Sequence, residues 1–244
     1  MGRAKTAYFT PHTLRFLRAL ARHNEREWFK AHQADYEMHV KAPCLRLIAD
    51  LAPALRAVSE VLVADPRPLG GSLFRIHRDV RFSRDKSPYK TYAGMNFYHR
   101  STKPGARGGD AGLDPGRLDA PGLYLHLEPG ATFVGGGIWH PQPQTLKRVR
   151  DFMIDNPESW KHATRRRAFV AEFELTGDSL ARAPKGYKPE HALIEDLKRK
   201  DIVASARLTD AEVLSTELVT ILARRFKLMA PLLEWLCLSL EAPF

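Results

Sequence analysis

The chain has 244 residues, 44% hydrophobic and 27% charged, a globular mixture that excludes wholesale disorder. Lys and Arg outnumber Asp and Glu by 38 to 28, a formal charge of +10 that favours acidic partners: phosphates, nucleic acid or an anionic surface. No run reaches the roughly 18 apolar residues of a membrane span, and the start of the chain has no secretory pattern.

The two cysteines, Cys44 and Cys237, lie far apart in apolar, helical-looking stretches and read as small buried hydrophobes. A reducing cytoplasm fits that usage. The phosphate-loop, nucleophile-elbow, zinc-protease and dithiol motifs are all missing from the sequence.

Residues 1–8 read as a short basic tail, and 9–241 as a single α+β domain. Thr10-Pro11 opens a helix as N-cap and first residue, with Leu14, Leu17 and Leu20 as its stripe. Asn24 with Glu27 resembles a capping box before a second helix through Trp28, Phe29, His32, Tyr36 and Val40. Pro43 breaks or restarts it. Leu47, Ile48, Leu51, Leu55 and Val58 continue the helical pattern, with Pro53 as a kink.

The period then changes. Leu73 to His77, Met95 to His99, Leu123 to Glu128 and Ala131 to Ile138 are short, alternating and aromatic, and read as strands. Glu128-Pro129-Gly130 turns between the last two. Residues 101–120, rich in Gly and Pro, read as a long surface excursion.

Helices return after Pro141, with a strand over Phe169 to Leu175 and a basic helix over His191 to Lys200. Thr209 and Glu212 form a second capping box, and Pro231 divides the amphipathic segment that follows. Helices, then a mostly antiparallel central sheet, then helices define an α+β fold.

The segment Leu73 to Thr91 carries six cations (Arg75, Arg78, Arg81, Arg84, Lys86, Lys90) against Asp79 and Asp85 only. Phe74, Phe82 and Tyr89 are interleaved with them. A partly desolvated guanidinium needs a partner, and two carboxylates cannot neutralise six cations. The balance comes from acids elsewhere in the chain, from a bound phosphate or carboxylate, or from a nucleic-acid backbone. The anion-site reading uses Arg75, Arg78, Arg81, Lys86, Tyr89 and Lys90.

Residues Arg75 to Thr91 resemble the signature of the bacterial and fungal family called domain of unknown function 2461. Glu27-Trp28-Phe29, Gly122 to Gly130 and Val134 to Pro141 resemble its other landmarks. The resemblance runs from about Phe9 to Leu240. It implies one α+β domain and brings no activity with it.

Along Leu123 to Glu128 the leucines share one face, and Tyr124, His126 and Glu128 share the other. His126 and Glu128 are close enough for a proton-transfer pair, and equally suit an exposed polar face or two metal ligands. A metal would need a third ligand from His77, His99 or His140, which no spacing demands, so neither metal nor cofactor is expected. Gly135-Gly136-Gly137 reads as a bulge, or as a nest in which Gly136 and Gly137 meet an anion.

Three basic clusters, Arg165 to Arg167, Lys198 to Lys200 and Arg224, Arg225 and Lys227, read as helix C-termini and a wet helix face. These features favour a basic pocket for a small phosphate- or carboxylate-bearing ligand, with His126 and Glu128 for acid–base chemistry. Non-enzymatic nucleic-acid binding and an interaction module with a structural salt-bridge network are the alternatives.

Overall fold

The structure, a computed structural model, describes residues 6–81, 83–102 and 119–244. Most of the expected 101–120 excursion therefore lies outside the described residues, as do Phe82 and most of the basic tail.

The N-terminal helices are α1 (Pro11–Arg22), α2 (Arg26–Ala31), α3 (Gln33–Tyr36) and α4 (Ala42–Val58). A π-helical turn, Glu37–Lys41, joins α3 to α4 without a break, so Pro43 follows a π turn inside a continuous helical run and does not end it. Tyr8 is already anchored: its hydroxyl donates to Asp50 at 2.5 Å, and Phe9 beside it is buried.

Strands β1 (Leu62–Val63), β2 (Ala93–His99), β3 (Gly122–Leu127), β4 (Phe133–Ile138), β5 (Glu174–Thr176) and β6 (Ile202–Arg207) form one antiparallel sheet in the order β1-β2-β3-β4-β6-β5. Between β4 and β6 run α5 (Pro143–Asp155), α6 (Pro157–Arg165), α7 (Arg167–Val170) and α8 (Ile194–Leu197). The chain ends with α9 (Asp210–Val213) and α10 (Leu218–Ser239). The α+β architecture and the antiparallel sheet match the sequence expectation. No helix among the described residues is long and apolar enough to cross a membrane.

One sheet face is apolar. Met95, Phe97, Leu123, Leu125, Val134 and Ala204 are buried in the same core as Leu47, Leu51 and Leu55 of α4 and Leu222, Phe226, Met229 and Leu233 of α10. Gly136 faces this core, where an added Cβ would stand 2.7 Å from the Met229 sulfur and 2.9 Å from Leu123. A side chain at that position would push α10 off the sheet.

Several local expectations are corrected by tertiary context. Pro231 lies inside an unbroken α10, because burial of Phe226 and Met229 before it and of Leu232, Leu233 and Leu236 after it outweighs the roughly 3 kcal/mol cost of an interior proline. Pro53 likewise sits within α4. Leu73 to His77 forms isolated bridges to Met95 and Tyr89 and no strand. Phe169 and Val170 belong to the short helix α7, leaving only Glu174–Thr176 extended, and the helix expected over His191 to Lys200 is the single turn α8.

Asn24 caps nothing. Its side chain donates to the Tyr89 carbonyl at 2.9 Å and accepts the Tyr89 N–H at 3.0 Å, acting as one rung of a sheet for a distant loop. Thr209 and Glu212 do form the capping box of α9.

Candidate functional site

Among the described residues, no helix covers the second face of the sheet. Its residues fall in register rows across the strands: Gly94, His126 and Phe133 in one row, Asn96, Tyr124, Gly135 and Ser205 in the next, and Gly122, Gly137 and Val203 in a third. Glycine recurs in every row, so the floor is shallow in side chains and deep in space. A cavity of about 580 Å³ lies over it, walled by Phe74, Tyr92, Tyr124, Phe133 and Trp139. Its described lining contains no Lys or Arg; its ionisable residues are Asp119, two histidines and two tyrosines besides Tyr92.

At one end of this cleft Tyr124, His126 and Glu128 are joined. His126 Nε2 lies 3.1 Å from Glu128 Oε2, and its Nδ1 lies 3.2 Å from the Tyr124 hydroxyl. An ionised carboxylate only accepts, so Nε2 carries the proton, Nδ1 is the acceptor, and Tyr124 donates its O–H to it. The alternation of β3 puts these residues on one face. The imidazole is then clamped between Tyr92 (4.2 Å between centroids) and its cross-strand partner Phe133 (4.8 Å). Such ring pairs each contribute about 0.5–1.5 kcal/mol.

Burial pushes the pKa of His126 below its ordinary 6.5, and the opposing hydrogen bond and charge of Glu128 do not overcome it. The folded protein therefore keeps this ring neutral to lower pH than the unfolded chain, which takes up a proton near pH 6.5. Its contribution to stability is complete above that pH and declines as pH falls through it. His126→Gln is expected to flatten the fall in stability between about pH 7 and pH 5, measured as denaturant midpoints. A smaller slope remains from His77, shifted in the same direction by burial and by Arg75, Arg26 and Lys90. An unchanged slope would contradict the assignment.

The charged segment is held together largely by bonds of its own. Its ends are pinned by the Arg78 N–H to the Pro88 carbonyl and the Lys90 N–H to the Ile76 carbonyl, both backbone bonds. Arg78 pairs with Asp85. Arg81 donates to both oxygens of Asp79, at 2.9 and 2.6 Å, and holds that carboxyl at about 2. Hydrogen bonds from Ser87 and then Arg78 lower Asp85 as well.

Lys86 donates to the Val80 carbonyl at 2.9 Å, and the buried Lys90 to the Arg75 carbonyl at 3.1 Å. Arg75 and Arg84 are exposed and make no ion pair among the described residues. Tyr89 is buried, its ring stacked on Phe29 at 4.1 Å.

The structure thus gathers Arg78, Arg81 and Lys86 into one self-bonded loop. Gly136 and Gly137 lie apart from that loop, inside the β3–β4–β6 ladder. The loop reaches the cleft through its flanks: Phe74 and Tyr92 both line it, and the Lys90 ammonium stands 5.7 Å from the Phe74 ring centroid.

Sequence reasoning passed over Tyr92, Asn96, Ser205 and Gly135 as site residues. Asn96 could have been found from the inside–outside alternation of β2. Ser205 could not, because β6 itself, built from small residues, was not expected. Among the described residues no group of three His, Cys, Asp or Glu side chains is placed to hold a metal. His99 is occupied on both ring nitrogens, by Ser101 and the Pro243 carbonyl.

Fold and site together define an α+β protein with an aromatic cleft on the uncovered face of an antiparallel sheet. The family described as Conserved hypothetical protein (DUF2461) matches residues 12–235, and the chain belongs to it. No curated protein and no solved structure matches it.

Proposed function

We propose that the cleft binds a small ring-bearing carboxylate or phosphate and moves a proton on it through Tyr124, His126 and Glu128. The observation that carries this reading is a neutral, oriented imidazole between a phenol and a carboxylate at the edge of a cavity large enough for such a molecule. The aromatic walls suit a flat apolar body. Asn96, Ser205 and the Tyr124 hydroxyl suit an oxygen-bearing group. The ligand gives its proton to the Tyr124 oxygen as Tyr124 passes its own to Nδ1; Glu128 stabilises the imidazolium that forms.

Positive charge for a ligand anion lies nearby in Lys90, whose ammonium stands 5.7 Å from the Phe74 ring that walls the cleft. The internal pairing of Arg78 and Arg81 supports a structural role for the rest of that loop.

The test is a thermal-shift series with benzoate, 4-hydroxybenzoate and inorganic sulfate at constant ionic strength, on the wild type and Gly135→Val. A Cβ at Gly135 meets only ordinary contacts, 3.4 Å to the Ala204 carbonyl oxygen, so a side chain can start there on the floor of the cleft without a backbone clash at its Cβ. A ring-bearing acid raises the melting temperature of the wild type and not of the variant. An equal response in both, or none in either, overturns the cleft reading. A rise with sulfate alone that Arg75→Ala removes would assign the anion to the charged loop instead.

A further inference from the structure

The opposite end of the cleft holds a second arrangement of proton-handling groups. After β4 the chain turns at Trp139-His140, and His140 adopts φ +50°, a left-handed conformation that a non-glycine residue takes at a cost. What holds it there is Asp201, whose carboxylate is 1% exposed. One oxygen of Asp201 accepts the His140 backbone N–H at 2.7 Å and lies 3.0 Å from His140 Nδ1; the other accepts the Asp178 N–H at 2.9 Å.

Gly177, at φ +100°, makes room for this carboxylate: a Cβ there would stand 2.5 Å from the Asp201 Cβ. The imidazole is 58% exposed and stacks at 4.1 Å on Trp139, which walls the cleft. A carboxylate that only accepts fixes the proton of the neutral ring on Nδ1 and leaves the Nε2 lone pair without a proton. A buried acid, an oriented imidazole and a bare Nε2 are the elements of a general base.

We propose that His140, positioned by Asp201, is a base that accepts a proton from a hydroxyl or water at the Trp139 end of the cleft. In that step the O–H bond breaks with its electron pair left on oxygen, the proton forms a bond to Nε2, and Asp201 stabilises the imidazolium. His126 pairs with Phe133 at the start of β4, whereas His140 follows its end; six strand residues between them span roughly 17 Å. The two histidines therefore serve separate groups of an elongated ligand. The placement of that ligand rests on the cleft reading, whereas the state of His140 does not.

The experiment uses the intact protein. Long-range nitrogen–proton NMR reports the tautomer of His140. Diethyl pyrocarbonate, whose carbonyl carbon is attacked by an unprotonated imidazole nitrogen with loss of ethyl carbonate, reports its reactivity by peptide mass mapping. The exposed His162, on α6, is the internal reference.

We expect the Nδ1-protonated tautomer in the wild type, modification several-fold faster than His162, and loss of that advantage in Asp201→Asn. An Nε2-protonated ring in the wild type, or reactivity equal to that of His162, overturns the base whether or not the variant folds. Slower modification of His140 in the presence of 4-hydroxybenzoate supports its place in the cleft. A wild type stabilised by that acid but unprotected at His140 overturns that placement. If no ring-bearing acid binds at all while His140 keeps its tautomer and reactivity, the cleft reading fails and the base stands.

Discussion

Replacing Gly137 by alanine is expected to cost about 2–6 kcal/mol, combining a strained backbone with forced overpacking, each of roughly 1–3 kcal/mol. Gly137 lies in β4 at φ +132°, a conformation that L-residues with a side chain rarely adopt. An added Cβ would overlap the Ile202 carbonyl oxygen and stand 2.9 Å from the Val203 Cα. Those atoms belong to the neighbouring strand, so relief requires β6 to move, and with it the β5 edge paired to it.

The loss is comparable to much of a typical domain's 5–15 kcal/mol. Gly135→Ala, two residues away on the same face, meets only ordinary contacts and is expected to change stability by less than about 1 kcal/mol. Denaturant midpoints of the two variants decide the matter. Equal effects would mean that the β4 backbone is free to relax and that the cleft floor is not fixed by its glycines.

Arg225→Ala is expected to cost about 3–5 kcal/mol, the usual loss on removing one partner of a buried ion pair. Although its spacing reads as the wet side of α10, Arg225 is only 7% exposed. Its Nε donates to Glu172 at 2.6 Å and its Nη2 to Glu212 at 3.0 Å. Glu212 also closes the capping box of α9, so this one guanidinium ties α9 and the turn after α7 to α10.

Without Arg225, Glu172 keeps Arg224, at 3.0 and 3.1 Å, but Glu212 keeps no cation among the described residues. Burial raises the pKa of Glu172, and hydrogen bonds from Arg224 and Arg225 overcome it, leaving the carboxyl below its ordinary value. The stabilisation is therefore complete above about pH 4.5 and lost as pH falls through the folded value. The gap between wild type and Arg225→Ala should narrow in acid. A gap that is small at neutral pH, or that does not narrow, would show that the network contributes little.

Local rules were enough for α1, for the capping box at Thr209 and for the face shared by Tyr124, His126 and Glu128, because each rests on neighbours within one turn or on strand alternation. They fell short at β6. Ile202, Ala204 and Ala206 point inward and Val203, Ser205 and Arg207 outward, but small residues make a weak alternation beside the run of charges at Lys198 to Asp201. In the charged segment, pairing of Asp79 and Asp85 with neighbouring arginines is legible from the sequence, but counting six cations cannot show that Asp85 takes Arg78, Asp79 takes Arg81 and backbone carbonyls take Lys86 and Lys90.

Gly135 and Gly136 are adjacent and chemically identical, yet one floors the cleft and the other seats α10 on the core. Only the strand's orientation separates them.

The amino-acid order by itself determined an α+β chain, its excess positive charge and the row that ends in His126 and Glu128, since these follow from periodicity and counting. The tertiary structure alone decided that Tyr92 and Phe133 clamp His126, and that Asp201 holds His140 from 61 positions away. Such meetings depend on sheet register and on backbone approach at glycine, which no local pattern encodes.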